Sequence, residues 1–248
     1  MGMELSGHFA QEIPDIKTDR PDRTESASTV PSRLFQIESG FEFLKEKYDD
    51  DSELDSYNIG NSLFRYGLFE DFELRFAGGF LSENLTSSGN ESNSSGIAGF
   101  MAGIKYSFIN DHQSIPDVAL LLQAYLPIGS KALNPGQVEP EVILSAAYSL
   151  TEFLDISSNI GIYYRSSNEK MFYFFSFSAG FGITEKLGSF VEIYSELFPE
   201  SSPFYLFNVG FTYLILSNLQ LDVSGGDGLF NNSEVWYLGI GISFRIPR

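Results

Sequence analysis

The chain contains no cysteine. That removes disulfides, thiol nucleophiles, thiolate zinc sites and a lipid-anchored cysteine. Histidine is nearly absent too, with two residues, His8 and His112, among 248. Triad-type catalysis needs a histidine beside its nucleophile. His8 lies in the N-terminal tail and His112 in a connection between strands, so no catalytic residue is assigned. No apolar run reaches the ~18 residues of a membrane-spanning helix. Cations are few: 15 Lys and Arg stand against 33 Asp and Glu, a formal net charge of −18. Phosphate binding needs clustered Lys and Arg, so nucleic acid is excluded as a partner. A phosphate loop ending in Gly-Lys-Ser/Thr is also missing. Glu46, Asp49, Asp50, Asp51, Glu53 and Asp55 crowd one stretch, but without the central Gly and final Glu of an EF-hand loop. It reads as a solvated loop; the alternative is divalent-cation binding at a lipopolysaccharide surface. No metal or cofactor is assigned.

What the chain has is aromatic residues, 24 Phe and 13 Tyr, in a sequence of mean hydropathy −0.05. They are arranged with a period of two. Trp236, Leu238, Ile240, Ile242, Phe244 and Ile246 alternate with Tyr237, Gly239, Gly241, Ser243 and Arg245. Such a strand has one apolar face and one small or polar face. A soluble β-sandwich gives no reason for outward rows such as Met171, Tyr173, Phe175, Phe177 and Phe181. The pattern is that of a transmembrane antiparallel up-and-down β-barrel with its polar face inward. This hides its hydrophobicity from any overall average.

The alternation predicts about twelve strands, near 33–46, 57–69, 72–83, 97–109, 117–129, 140–150, 154–166, 170–183, 187–198, 203–215, 219–227 and 234–246. Connections are alternately short and long, with 47–56, 84–96 and 131–139 read as long loops. An even count puts both termini in the periplasm of a bacterial outer membrane. Asn84, Asn90, Asn93 and Asn231 begin Asn-x-Ser/Thr patterns that mark only polar loops.

Parity assigns the faces. Phe35, Ile37, Phe41, Phe64, Tyr66, Phe72, Leu74, Phe76, Leu120, Leu122, Tyr205, Phe207 and Phe211 are expected to meet lipid and lipopolysaccharide. Glu38, Glu42, Arg65, Glu73, Arg75, Lys105, Asp155, Glu192, Glu196, Asp222 and Arg245 are expected to line a partly filled lumen. Gln36, Gln123, Asn159, Tyr194 and Asn208 share that parity. A charge facing lipid at mid-depth costs about 2–4 kcal/mol, so their common parity argues for the register.

Residues 1–32 form a separate segment. They show no alternation, and Pro14, Pro21 and Pro31 break regular structure. Residues 5–10 are either the stump of a signal peptide cleaved after Ala10 or extra cloned residues. Asp19, Arg20, Asp22, Arg23 and Glu25 sit between prolines. They make this a candidate plug for the barrel of residues 33–248, the alternative being a disordered tail.

Thr18-Asp-Arg-Pro-Asp-Arg-Thr-Glu-Ser26, Val30-Pro31 and Phe35-Gln-Ile-Glu-Ser-Gly40 resemble the start of an outer-membrane transporter family. It is named for the meta-pathway of phenol degradation and is common in bacteria of the Bacteroidetes type. Leu63-Phe-Arg-Tyr-Gly-Leu68, Phe72-Glu-Leu-Arg75, Gly103-Ile-Lys-Tyr106, Tyr125-Leu-Pro-Ile-Gly129 and Leu219-Gln-Leu-Asp222 extend the resemblance over nearly the whole chain. One departure is the run past Phe244 to Pro247-Arg248, where barrels commonly end on an aromatic residue. The resemblance implies a monomeric pore for small solutes, hydrophobic or aromatic compounds among them. The alternative is a structural or adhesion barrel without an open channel.

Overall fold

A computed structural model describes residues 13–49, 51–110, 112, 114–167, 169–198, 202–229 and 234–247. The Ala10 boundary, His8 and Asn231 lie outside them. Twelve strands follow in chain order: β1 (Phe35–Asp49), β2 (Ser52–Phe69), β3 (Phe72–Ser87), β4 (Asn90–Ile109), β5 (Asp117–Tyr125), β6 (Glu139–Thr151), β7 (Leu154–Arg165), β8 (Lys170–Gly182), β9 (Leu187–Leu197), β10 (Phe204–Leu216), β11 (Leu219–Gly228) and β12 (Glu234–Ile246). Each pairs antiparallel with its sequence neighbours. β12 closes the barrel on β1, with Phe35 opposite Ile246 and Lys47 opposite Glu234.

The burial pattern inverts that of a soluble domain. Ile160 is 62% exposed and Leu238 58%, whereas Arg65, Glu73, Arg75 and Lys105 are at 0%. Aromatic and branched residues favour the pleated backbone and point out, while charge points in. One apolar patch also faces inward: Leu121, Ile143, Tyr163, Phe172 and Phe174 form a buried cluster on β5 to β8.

Two loop expectations are corrected. Residues 47–56 and 84–96 are mostly strand, and the β3–β4 hairpin runs out to Ser87 and Asn90. Beyond the lipid belt both faces meet water, so the alternation fades while the backbone ladder continues. β5 ends at Tyr125, earlier than the pattern suggests. Pro127 has no N–H to give, and Gly129 adopts φ +100°. Leu126 N and Ser130 N still reach β4 carbonyls, Phe100 O and Ile97 O, each at 2.8 Å.

At the N-terminal side, Ser32 makes a parallel bridge to Gly67 on β2 just before β1 begins. Ile16 N donates to Ser217 O in the β10–β11 turn at 2.7 Å. The residues between these points cross from wall to wall.

Candidate functional site: an inward charge lattice and the cavity above it

The lattice starts from a conflict. Arg65 and Arg75 face each other directly across the β2–β3 ladder, and like charges so placed repel. Glu73 lies between them. Arg65 donates to it through Nε at 3.0 Å and NH2 at 2.9 Å, and Arg75 through NH1 at 3.1 Å. Glu38 on β1 takes Arg65 NH1 at 2.8 Å. The third cation, Lys105 on β4, sits opposite Glu73 in the ladder.

The strands alone leave this group rich in cations, and the N-terminal segment supplies the missing acid. Asp19 accepts from Arg75 NH1 at 2.6 Å and from Lys105 Nζ at 2.9 Å, and lies 3.1 Å from Arg65 NH1. Burial by itself would raise the Asp19 carboxyl. Arg65, Lys105 and Arg75 outweigh it and hold the group well below the usual carboxylate range. Glu25 accepts both of its bonds from Arg75 NH2 at 2.8 Å. Glu38 in turn accepts the backbone N–H of Asp19 at 2.9 Å and of Arg20 at 3.1 Å, and Glu73 that of Val30 at 2.7 Å.

Between Asp19 and Ser26 the segment reaches the opposite wall. Ser26 N and Oγ both donate back to Asp19 Oδ1, which closes this stretch on itself. Arg20 pairs with Asp222 on β11 at 3.0 Å. Its guanidinium lies over Gly40 and Gly241, which face each other across the β1–β12 seam. A Cβ on Gly241 would fall 2.4 Å from Arg20 Nε, so a side chain there would displace the Arg20 head group from its place over the seam. Arg23 N donates to Glu192 at 3.1 Å, and Thr24 Oγ1 meets Ser176 Oγ at 2.8 Å. Asn159 accepts Glu25 N at 2.6 Å, while Ser145 Oγ donates to Glu25 O at 2.6 Å.

The remaining residues picked out by parity divide. Glu42 lies 3.5 Å from Arg23, and Glu196 accepts from Tyr194 Oη at 2.8 Å. Asp22 lines the cavity described next. Asp155 is exposed at the start of β7, outside the lattice. Arg245 pairs with no acid among the described residues; it donates to Pro14 O at the chain's entry point. Asp222 therefore neutralises Arg20 and not Arg245. Its ladder partner is Gly241, well up β12 from Arg245.

Above residues 19–25 opens a cavity of ≈ 360 Å³. Glu42, Asn58, Asn61 and Tyr237 line the side built by β12, β1 and β2, and Gln123, Glu141, Ile143, Phe174 and Tyr194 the side built by β5, β6, β8 and β9. Tyr194 and Gln123 belong to the sequence-based inward set, whereas Phe174 and Glu141 do not. In Phe172-Tyr173-Phe174-Phe175 both faces are aromatic, so Phe174 carries no polar mark of the lumen. Glu141 was recoverable, since it shares parity with the buried Ser145 on β6. Among the described residues no group of His, Asp and Glu could hold a metal ion.

A closed antiparallel barrel with an apolar belt outside and charge within is a transmembrane β-barrel of the bacterial outer membrane. The family model described as "Putative MetA-pathway of phenol degradation" matches residues 18–246, and the chain belongs to that family. An outer-membrane channel from Pseudomonas putida F1 has a similar structure, at TM-score 0.69 and 12% identity over 93% of this chain and 100% of that one. The translocator domain of the autotransporter NalP from Neisseria meningitidis matches at TM-score 0.58 and 7% identity, over 85% and 88% of the two chains. The KdgM porin, solved in complex with disordered oligogalacturonate, matches at TM-score 0.52 and 13% identity, over 84% and 98%. At these identities the likeness is one of fold. No curated protein matches the chain.

Proposed function

We propose that the barrel passes small solutes across the outer membrane, hydrophobic or aromatic compounds among them. In this reading residues 1–32 are a plug domain, and residues 33–248 are the channel it occupies. The observation that carries the proposal is the seat of Asp19, a plug carboxylate buried among Arg65, Arg75 and Lys105 of the wall. Paired glycines that clear a path for Arg20 support it. Solutes enter from the outer side into the cavity above Asp22 and Arg23, where an aromatic wall faces a polar one. The protein transports and does not turn its solutes over, acts as a monomer, and has membrane lipid and lipopolysaccharide around its apolar belt.

The test is conductance of the purified protein in a planar bilayer under a salt gradient. Inward acids on the strands (Glu38, Glu42, Glu73, Glu141, Glu192, Glu196, Asp222) outnumber inward bases (Arg65, Arg75, Lys105, Arg245). Selectivity follows the lining charge, so the reversal potential takes the sign of cation preference. Clear anion selectivity rejects an acidic path. No current, either intact or after removal of the plug, favours a structural or adhesion barrel.

A further inference from the structure

The two sides of the cavity differ in chemistry, and one side is built around acceptors. On β7 and β8 the ring of Phe174 lies over Gly161, where a Cβ would come within 2.2 Å of Cζ. Ile143 and Tyr194 continue this apolar platform along the cavity. Beside it, Gln123 and Glu141 face each other across the β5–β6 ladder. Gln123 Nε2 donates to Glu141 Oε2 at 2.7 Å. The stem of Gln123 lies over Gly103, where a Cβ would sit 2.5 Å from Gln123 Cβ. Gln123 is thus seated closely on β4, and its bond orients Glu141.

The bond to a carboxylate settles which end of the Gln123 amide is nitrogen, because a carboxylate only accepts. The free end is therefore the carbonyl oxygen. Gln123 is 8% exposed and its Oε1 has no partner among the described residues. A buried acceptor left bare is unusual and costly. Glu141 turns its carboxylate to the cavity, Gln123 Oε1 is buried beside it without a partner, and the second N–H of the Gln123 amide stands next to them. Glu196 adds an acceptor nearby; the cations that act on Glu141 are Arg165, 3.9 Å from Glu139, and Arg75, bound to Glu25, while Arg23 across the cavity stacks on Tyr237 at 5.0 Å and faces Glu42.

We infer that Gln123 and Glu141 form a head-group site for a small ring compound bearing a hydroxyl or an amine, with its ring on Phe174 and Ile143. This rests on the reading of the cavity as the solute vestibule and names the chemistry the vestibule selects. The donor satisfies Gln123 Oε1 and shares the carboxylate of Glu141. A ring carrying a carboxylate meets Glu141 as a like charge, and a bare hydrocarbon leaves both acceptors unpaired. Sites built to hydrogen-bond a ligand group reject the analogue that lacks it. The cavity volume of ≈ 360 Å³ suits a ligand of this size.

Four compounds with one ring and different heads test the assignment: benzyl alcohol, benzylamine, benzoate and toluene. Titration calorimetry on the full-length barrel in detergent gives their affinities. One of the two donors should bind about tenfold more tightly than toluene and benzoate, the effect of one hydrogen bond to a charged or bare acceptor. A lead for the amine gives the charge of Glu141 the larger part, and a lead for the alcohol gives it to hydrogen bonding; either supports the site. The preference should vanish in the Gln123→Leu/Glu141→Leu double variant. That variant removes both partners at once and strands neither, and its folding is checked by heat-modifiable gel migration. Toluene binding as well as the donors, or a preference that survives the double variant, overturns the head-group site and leaves the vestibule standing. If none of the four binds, the vestibule reading falls with it.

Discussion

Deleting residues 1–31 should raise single-channel conductance several-fold while leaving the barrel folded. The strands carry their own hydrogen-bond ladder, closed by β1 on β12, so the wall does not depend on the segment for its backbone. What the segment supplies is matter in the bore and acid for the cation group. A barrel of this strand number is intermediate between ones filled by their own side chains and water-filled porins. The material crossing from Glu38 to Asp222 and Glu192 therefore decides how much of the bore remains. After deletion, water and counterions reach Arg65, Arg75 and Lys105, which lowers the cost of leaving them without Asp19 and Glu25. Heat-modifiable migration on gels reports the fold, and bilayer recordings report the bore. A well-folded deletion protein with unchanged conductance would show that residues 1–31 are only a tether.

The second large effect is expected from a single side chain. Asp19→Ala leaves Arg65, Arg75 and Lys105 seated in a dry group short of one carboxylate. Breaking a buried ion pair from one side costs about 3–5 kcal/mol, which exceeds what the exposed Arg23–Glu42 contact can return. The segment should unseat without unfolding the barrel. Lys17 and Arg23 then become trypsin sites, whereas in the unaltered protein cleavage after Arg23 is slow, since its N–H is bound to Glu192. The acid dependence carries the same sign. The Asp19 carboxyl is held below its ordinary value, so its contribution is full above the usual carboxylate range. It is lost only as pH falls through that lowered value. Seating should therefore survive mild acid in the unaltered protein and be absent at all pH values in Asp19→Ala. Equal trypsin resistance in both proteins would remove Asp19 from the role of anchor.

Much of the wall could be read from the residues because a bilayer enforces parity. A charge on the wrong face at mid-depth is costly, so Arg65, Glu73, Arg75 and Lys105 report the inward face wherever they occur. Outside the lipid that penalty ends, and the pattern ends with it. This is why the outer parts of β2, β3 and β4 read as loops. On β8 the outward row from Met171 to Phe177 is legible, but Phe172 and Phe174 place rings on the face that elsewhere carries Ser and Glu, so they carry no polar mark of the lumen. Partners across the bore were harder still. Nothing local in the sequence joins Asp222 to Arg20 rather than to Arg245, because that choice is made by the path of the N-terminal segment over Gly40 and Gly241. The Gln123–Glu141 pair lay in the same blind spot: parity gives the face of each residue but not what stands unpaired beside it.

The bridge between Ser32 and Gly67, so close to the start of β1, has a kinetic consequence. In the plug reading, a segment joined to its own channel by so short a link stays beside the periplasmic mouth whenever it leaves its seat. Its local concentration at the seat stays at the millimolar level typical of short flexible links, whatever the abundance of the protein in the membrane. Return to the seat is then a first-order event, independent of any second molecule. A population of such channels would reclose one by one, each on its own clock, with a rate unchanged by dilution into fresh lipid.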